Sequence, residues 1–254
     1  MVERVERVMG MPVRVRVPGG AGAHALDELF AWLRFADATF STYDPRSELC
    51  RLNRGELGLG DAHPLVRDVL ARCEELRAAT DGAFDVRAPL PGALDPTGLV
   101  KGWAVERAAG LLERAGARRF LLDAGGDVVL RGGPWRVGIR HPRLAGRLAA
   151  VLELSDAAVA TSGAYERGAH IVDPRSGRPA AGALSVTIVG PDLGTADAYA
   201  TAAFAMGGRG PGWTATLAYH EAMTILEGDR VLATPGFVDL CAGPTIAASV
   251  GAAA

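Results

Sequence analysis

The chain has 254 residues, about half of them hydrophobic, with 27 basic against 29 acidic side chains and a formal net charge of −2. That length buries one large core or two small ones. The absence of a basic block argues against nucleic acid as a partner, and no apolar run reaches the length of a membrane-spanning helix.

In chain order, Met1 to Met9 is charged throughout. It lacks the apolar core of a signal peptide and carries no lipoprotein cysteine, so a cytoplasmic location is expected. Met11 to Val17 alternates Val with Arg and predicts a half-exposed strand. His24 to Phe40 places Leu26, Leu29, Phe30, Leu33 and Phe35 near helical spacing. Ser41 to Arg54 is expected to be a polar loop. Pro64 to Ala79 predicts a second helix with Leu65, Val69, Ala71 and Leu76 inward, followed by a turn at Thr80–Asp85 that enters a short strand.

A third helix is expected to start near Asp95-Pro-Thr97 and to end at Gly116. Asp95 or Thr97 suits the N-cap, Pro96 a first helical position and Gly116 the C-terminal stop. Strands follow at Phe120–Asp123, Val128–Leu130, Arg136–Arg140, Leu148–Leu154, Val159–Thr161, His170–Pro174 and Leu184–Val189. Thr195 to Met206 predicts a helix, and Glu221 to Thr234 a hairpin turning at Gly228-Asp229. The Ala/Gly-rich tail, about residues 241–254, is left unassigned. Helices dominate the first half and strands the second. The expectation is one α+β unit over 1–254, a helical N-terminal part packed with a mixed or antiparallel sheet in the C-terminal part.

Cys50, Cys73 and Cys241 are far apart and odd in number, with no metal-ligand spacing and no disulfide framework. Cys73 lies on a helical pattern as buried filler, and Cys50 falls in the polar loop.

Lys101 is the only lysine. It falls in about the first turn of its helix, where a cation opposes the helix dipole unless an anion binds nearby. Either it is a solvated residue left by chance, or a compact ammonium is required there. Asp197 and Thr201 are spaced i, i+4 on an otherwise apolar helix. Two oxygen donors on one face suit Mg²⁺. The alternative is a dipole-favoured Asp with Thr201 bonded back to a carbonyl. Thr161-Ser162-Gly163 sits at a strand end without the five-residue nucleophile elbow, so a turn whose N–H groups face a ligand is the better reading. His170 is either structural or catalytic. There is no Walker A sequence and no complete dinucleotide fingerprint.

Taken in order, these segments resemble the FAD:protein FMN transferases of the ApbE family. The matching pieces are Met9-Gly-Met-Pro-Val13, Phe40-Ser-Thr-Tyr43 leading to Arg51-Leu-Asn53, Asp81-Gly-Ala-Phe-Asp85, Asp95 to Gly102, Asp123-Ala-Gly-Gly126, Thr161-Ser-Gly163, His170-Ile-Val-Asp-Pro174 with Gly177, and Asp197 to Thr201. The resemblance implies an α+β fold and Mg²⁺-dependent transfer of the FMN half of FAD onto a Thr or Ser hydroxyl of an acceptor flavoprotein, releasing AMP. It implies Asp197, Thr201 and the Gly98 carbonyl as metal ligands. It implies FAD contacts at Met9, Tyr43, Ala83, Phe84, Asp85, Asp95, Lys101 and the 161–163 and 170–171 segments, including Ile171. His170 becomes the first candidate base, with Asp95 or Asp173 behind it. Tyr43 and Phe84 can offer ring contacts to the flavin nucleotide. The segment before Lys101 is less Gly-rich than is usual in the family, which a carbonyl ligand tolerates. Two rival readings are an Mg²⁺-dependent FAD pyrophosphatase yielding FMN and AMP at the same site, and a non-catalytic FAD-binding protein, which would need the FAD positions without the metal pair.

Overall fold

The computed structural model describes residues 1–89, 92–163, 171–243 and 251–252. The Val-Glu-Arg alternation at the amino terminus is strand β1 (Val2–Val8), paired antiparallel with β2 (Met11–Val17) from Val2 opposite Val17 to Val8 opposite Met11. Its period of two is a strand signal that the charge had masked. The two strands join through Met9 and Gly10, at φ +53° and +73°. Two consecutive residues in the left-handed region make the tight turn whose twist matches a hairpin.

Helix α1 (Ala23–Phe40) buries Leu26, Leu29, Phe30 and Leu33. Phe35 faces outward instead and meets the His63 ring. The expected loop at 41–54 contains a short helix, α2 (Glu48–Asn53). Ser47 caps it by accepting the Cys50 N–H at 3.0 Å, a local signal that the polar composition obscured. Cys50 therefore lies half-buried on a helix. Helix α3 (Pro64–Ala79) has the expected ends, but its inward stripe is Val66, Val69, Cys73 and Leu76. Ala71 is exposed and Leu65 half-buried, because the core lies about one residue further round than a Leu-led count suggests. The Thr80–Asp85 turn leads into further turns, not a strand.

Helix α4 (Thr97–Arg114) begins one residue after Pro96, with the Asp95 carboxylate accepting the Thr97 N–H at 3.0 Å. It ends before Gly116, at φ +87°. Strands β3 (Phe120–Ala124), β4 (Asp127–Arg131), β5 (Trp135–Arg140), β6 (Leu148–Leu154), β7 (Ala157–Gly163), β8 (Val172–Asp173), β9 (Arg178–Pro179) and β10 (Ala183–Gly190) follow. Helix α5 (Leu193–Ala205) and two short turns of helix lead to β11 (Glu221–Leu226) and β12 (Val231–Ala233), the expected hairpin. In the tail, Gly251–Ala252 form β13.

Among the described residues, nine strands form one sheet in the order β1-β2-β3-β4-β7-β10-β11-β12-β13. Every pairing is antiparallel except β12 with β13. Alternation along the central strands feeds two cores. Val129, Ala158 and Ala160 face α1, α4 and α5. Val128, Leu130 and Val159 face the β5–β6 hairpin on the other side. A third cluster joins α3 to Phe84, Leu99, Ala198 and Ala202. Fully burying each Leu or Phe contributes about 1.5–3 kcal/mol. The result is an α+β fold with helices packed on a mixed sheet. No described helix is long and apolar enough to cross a membrane.

Candidate active site

One cavity of about 730 Å³ opens where the β1–β2 turn, the end of α1, the Thr80–Pro89 turns, the start of α4, the end of β7 and α5 converge. It is lined by Met9, Tyr43, Ala83, Phe84, Asp85, Asp95, Gly98, Lys101, Thr161, Ser162, Gly163, Ile171, Asp197 and Thr201. Residues scattered over nearly 200 positions are thus brought together. His170 lies outside the described residues.

Each wall has a local cause. Met9 reaches the cavity because its left-handed turn points there, and its N–H donates to Asp37 Oδ2 at 3.0 Å. Tyr43 follows α1 and is 90% exposed, so it stands at the rim. The Thr80 hydroxyl, fully buried, donates to the Leu76 carbonyl at 2.8 Å and accepts the Phe84 N–H at 3.0 Å. With Asp81 and Gly82 at positive φ, this fixes the turn that presents Ala83, Phe84 and Asp85. Asn53 clamps the strap before α4 from both sides: its amide donates to the Leu94 carbonyl at 2.9 Å and accepts the Leu94 N–H at 2.8 Å. The Asp95 N–H donates to the Val86 carbonyl at 2.7 Å. At Gly98 an added Cβ would stand 3.1 Å from the Phe84 ring and 3.4 Å from Thr201 Oγ1, so the α4 backbone passes close to both.

The polar floor is a buried charge cluster. Helix α5 is apolar nearly all round, as a helix inside a core must be, and Asp197 sits in it only 3% exposed. Its Oδ2 accepts the Gly102 N–H at 3.2 Å and its Oδ1 lies 3.6 Å from Lys101 Nζ. Lys101 Nζ is closer to Asp127 Oδ2, at 2.5 Å. Burial pushes the Asp197 carboxyl up to about 7; Lys101 opposes that shift and Asp127 adds to it. Thr201 Oγ1 is 3.3 Å from Ser162 Oγ, and Thr161 Oγ1 is 3.0 Å from Thr187 Oγ1. Lys101 is therefore not a solvated remnant: it is half-buried between two carboxylates.

The donors fit a hard divalent cation. Among the described residues no three His, Cys, Asp or Glu side chains cluster as a metal cage. One carboxylate, one or two hydroxyls and a nearby carbonyl are what Mg²⁺ takes when phosphates and water complete its shell. Two carboxylates facing one ammonium also leave the cluster anionic, and a buried negative charge favours a cation.

Sequence reasoning missed Asp127, Asp37 and the lining residue Pro89, while Val172 and Pro174 fall in the His170–Pro174 segment that it did single out. For Asp127 a signal existed, since it directly follows the Gly125-Gly126 pair already singled out.

Comparison with known proteins gives a consistent picture. The ApbE family model matches residues 9–90 and 88–224. A FAD:protein FMN transferase of Rhodobacter capsulatus is 34% identical over 185 residues, covering 67% of this chain. This match spans only 35% of that relative's own length. The flavin transferase ApbE from Vibrio cholerae superimposes with a TM-score of 0.82 at 24% identity, covering 94% of this chain and 98% of that one. The ApbE protein from Thermotoga maritima does so with a TM-score of 0.85, at the same identity and coverage.

Proposed function

The chain belongs to the ApbE family, and from that premise we propose that it transfers the FMN half of FAD to a Thr or Ser hydroxyl of an acceptor flavoprotein, releasing AMP. Residues 1–254 are read as one functional unit. The single observation that carries the reading is the cavity of about 730 Å³ whose lining joins apolar Phe84 and Ile171 to Asp197, Thr201 and Lys101. Substrates of that shape, part ring and part pyrophosphate, match such a lining.

In this reading Asp197, Thr201 and the Gly98 carbonyl hold Mg²⁺, which when bound offsets charge on the pyrophosphate oxygens. Lys101 adds a fixed positive charge on the same side. Met9, Ala83, Phe84, Asp85, Asp95 and Ile171 hold the nucleotide, and the Thr161–Gly163 strand end borders the phosphates. The acceptor oxygen bonds to the FMN phosphorus, the bond from that phosphorus to the AMP oxygen breaks, and the hydroxyl proton passes to a base. His170 is assigned that task because an unperturbed imidazole titrates near neutrality. Asp95 suits it less, since its carboxylate already caps Thr97.

A second reading, hydrolysis of FAD to FMN and AMP, uses the same residues, with water in place of the acceptor hydroxyl. One experiment separates the two. AMP release from FAD is measured with Mg²⁺ or EDTA, with and without an acceptor protein bearing a target Thr. AMP only with Mg²⁺ and acceptor, together with an acceptor mass gain of one FMN unit, is expected. Equal AMP without acceptor would establish the hydrolase, and no AMP in any arm would sink both.

A further inference from the structure

We propose that Asp127 is a positioning residue for this site: it holds Lys101 so that the Asp197 carboxylate stays available to the divalent cation. The inference rests on the metal reading above and deepens it.

Asp127 does not line the cavity. It opens β4, directly behind a turn whose two glycines sit at φ +64° and +100°, and is 2% exposed. The β4–β7 ladder stops at Val128 opposite Val159. The Asp127 side chain takes over there, with Oδ1 accepting the Thr161 N–H at 3.0 Å. Its other oxygen faces Lys101 Nζ at 2.5 Å, against 3.6 Å for Asp197 Oδ1. Asp127 thus touches the site through Thr161 and Lys101, both of which line it.

The distances decide how the charge is divided. A carboxylate at direct contact takes the larger share of the ammonium, because Coulomb attraction falls with separation and a buried pair is little screened. Lys101 is drawn to Asp127, and Asp197 Oδ1 is left out of direct contact with the ammonium. Without the Asp127 charge, Lys101 would turn wholly to Asp197. A divalent cation would then meet a neutralised carboxylate with an unbalanced ammonium beside it. A purely structural Asp127, joining β4 to β7, would have no such effect on metal affinity.

The test is titration of the protein with Mn²⁺, without and with FAD, following free Mn²⁺ by electron paramagnetic resonance. Asp127→Asn keeps an oxygen for the Thr161 N–H and removes only the charge. It is expected to weaken Mn²⁺ binding at least ~10-fold. Adding Lys101→Met to Asp127→Asn removes the competing ammonium and is expected to restore affinity to within ~3-fold of the unsubstituted protein. Lys101→Met alone should tighten binding, which keeps the test decisive if Asp127→Asn fails to fold. Unchanged affinity in Asp127→Asn, or no recovery in the double variant, would overturn the proposal. If the unsubstituted protein binds no Mn²⁺ either without or with FAD, the metal reading itself falls and takes this inference with it.

Discussion

Replacing Gly102 by alanine sets two effects against each other. Gly102 lies inside α4, where alanine is favoured over glycine by about 1 kcal/mol. On propensity alone the variant is more stable. But the new Cβ would stand 2.4 Å from the Leu193 carbonyl oxygen, 2.9 Å from its carbon and 3.0 Å from Asp197 Cβ. Ordinary contact begins at 3.4 Å, so α4 and α5 must part by roughly 1 Å, and the nearest obstacle is backbone that cannot rotate away. Overpacking of this kind costs about 1–3 kcal/mol. The close approach wins, and a net loss of about 1–2 kcal/mol is expected. The same movement carries Asp197 off the Gly102 N–H, and a displacement of ~1 Å can slow turnover ~10²-fold. Urea unfolding gives the first number and Mg²⁺-dependent AMP release the second. Gly110 in the same helix is the control: its Cβ would meet only the flexible Arg114 guanidinium, at 3.3 Å, so Gly110→Ala should gain up to ~1 kcal/mol. A stabilised, fully active Gly102→Ala protein would refute the reasoning.

Other perturbations have equally definite outcomes. Asp197→Ala and Thr201→Ala should abolish Mg²⁺-dependent AMP release while FAD binding, followed by flavin fluorescence, persists; wild-type turnover in both would disprove the ligand assignment. Because burial raises the Asp197 carboxyl to about 7, the metal-free folded protein keeps a proton that the unfolded chain releases near pH 4. Stability should therefore fall as pH rises from about 4 towards 7 and level off above, and Asp197→Asn should remove that slope in urea melts across pH. In the same window Mg²⁺ affinity should rise with pH, since the proton must leave before the cation binds. Asn53→Ala loses both Leu94 bonds, so a stability loss of about 1–3 kcal/mol and a raised KM for FAD are expected from unfolding and steady-state assays. Met9→Gly relieves a left-handed residue, so FAD affinity should drop with stability held or slightly improved; a parallel loss of both would contradict a contact role.

The parts of the fold most legible in the sequence were those with a clear period or a terminal signal. Pro64 and Thr80 bracket α3 with the expected ends, and Gly228-Asp229 marks the β11–β12 turn. The site was legible as an ordered set of short motifs, and spacing alone could not have joined Met9 to Asp197. What stayed hidden depended on tertiary environment. Asp127 follows two glycines and looks like a turn acid until Lys101 is placed against it. Phe35 and Ala71 fit an apolar stripe by composition but lie on the wrong side of it, which only the position of the sheet decides. The strand at Val2–Val8 was concealed because half its residues are charged, although charged residues suit the outward face of an edge strand. Helix α2 is too short to show a period, and its Ser47 cap lies among other polar residues that look the same.

The Met9–Gly10 turn makes the first hairpin a ruler for the site. One inserted or deleted residue in β2 would swap the faces of Val13, Val15 and Val17 with those of Arg14 and Arg16, turning three fully buried valines towards water. The same slip would carry Met9 out of the cavity wall. This segment can therefore drift freely in identity at its outward positions while its length stays fixed. Libraries that diversify the hairpin should vary the residues facing solvent and leave the count between Val2 and Val17 untouched.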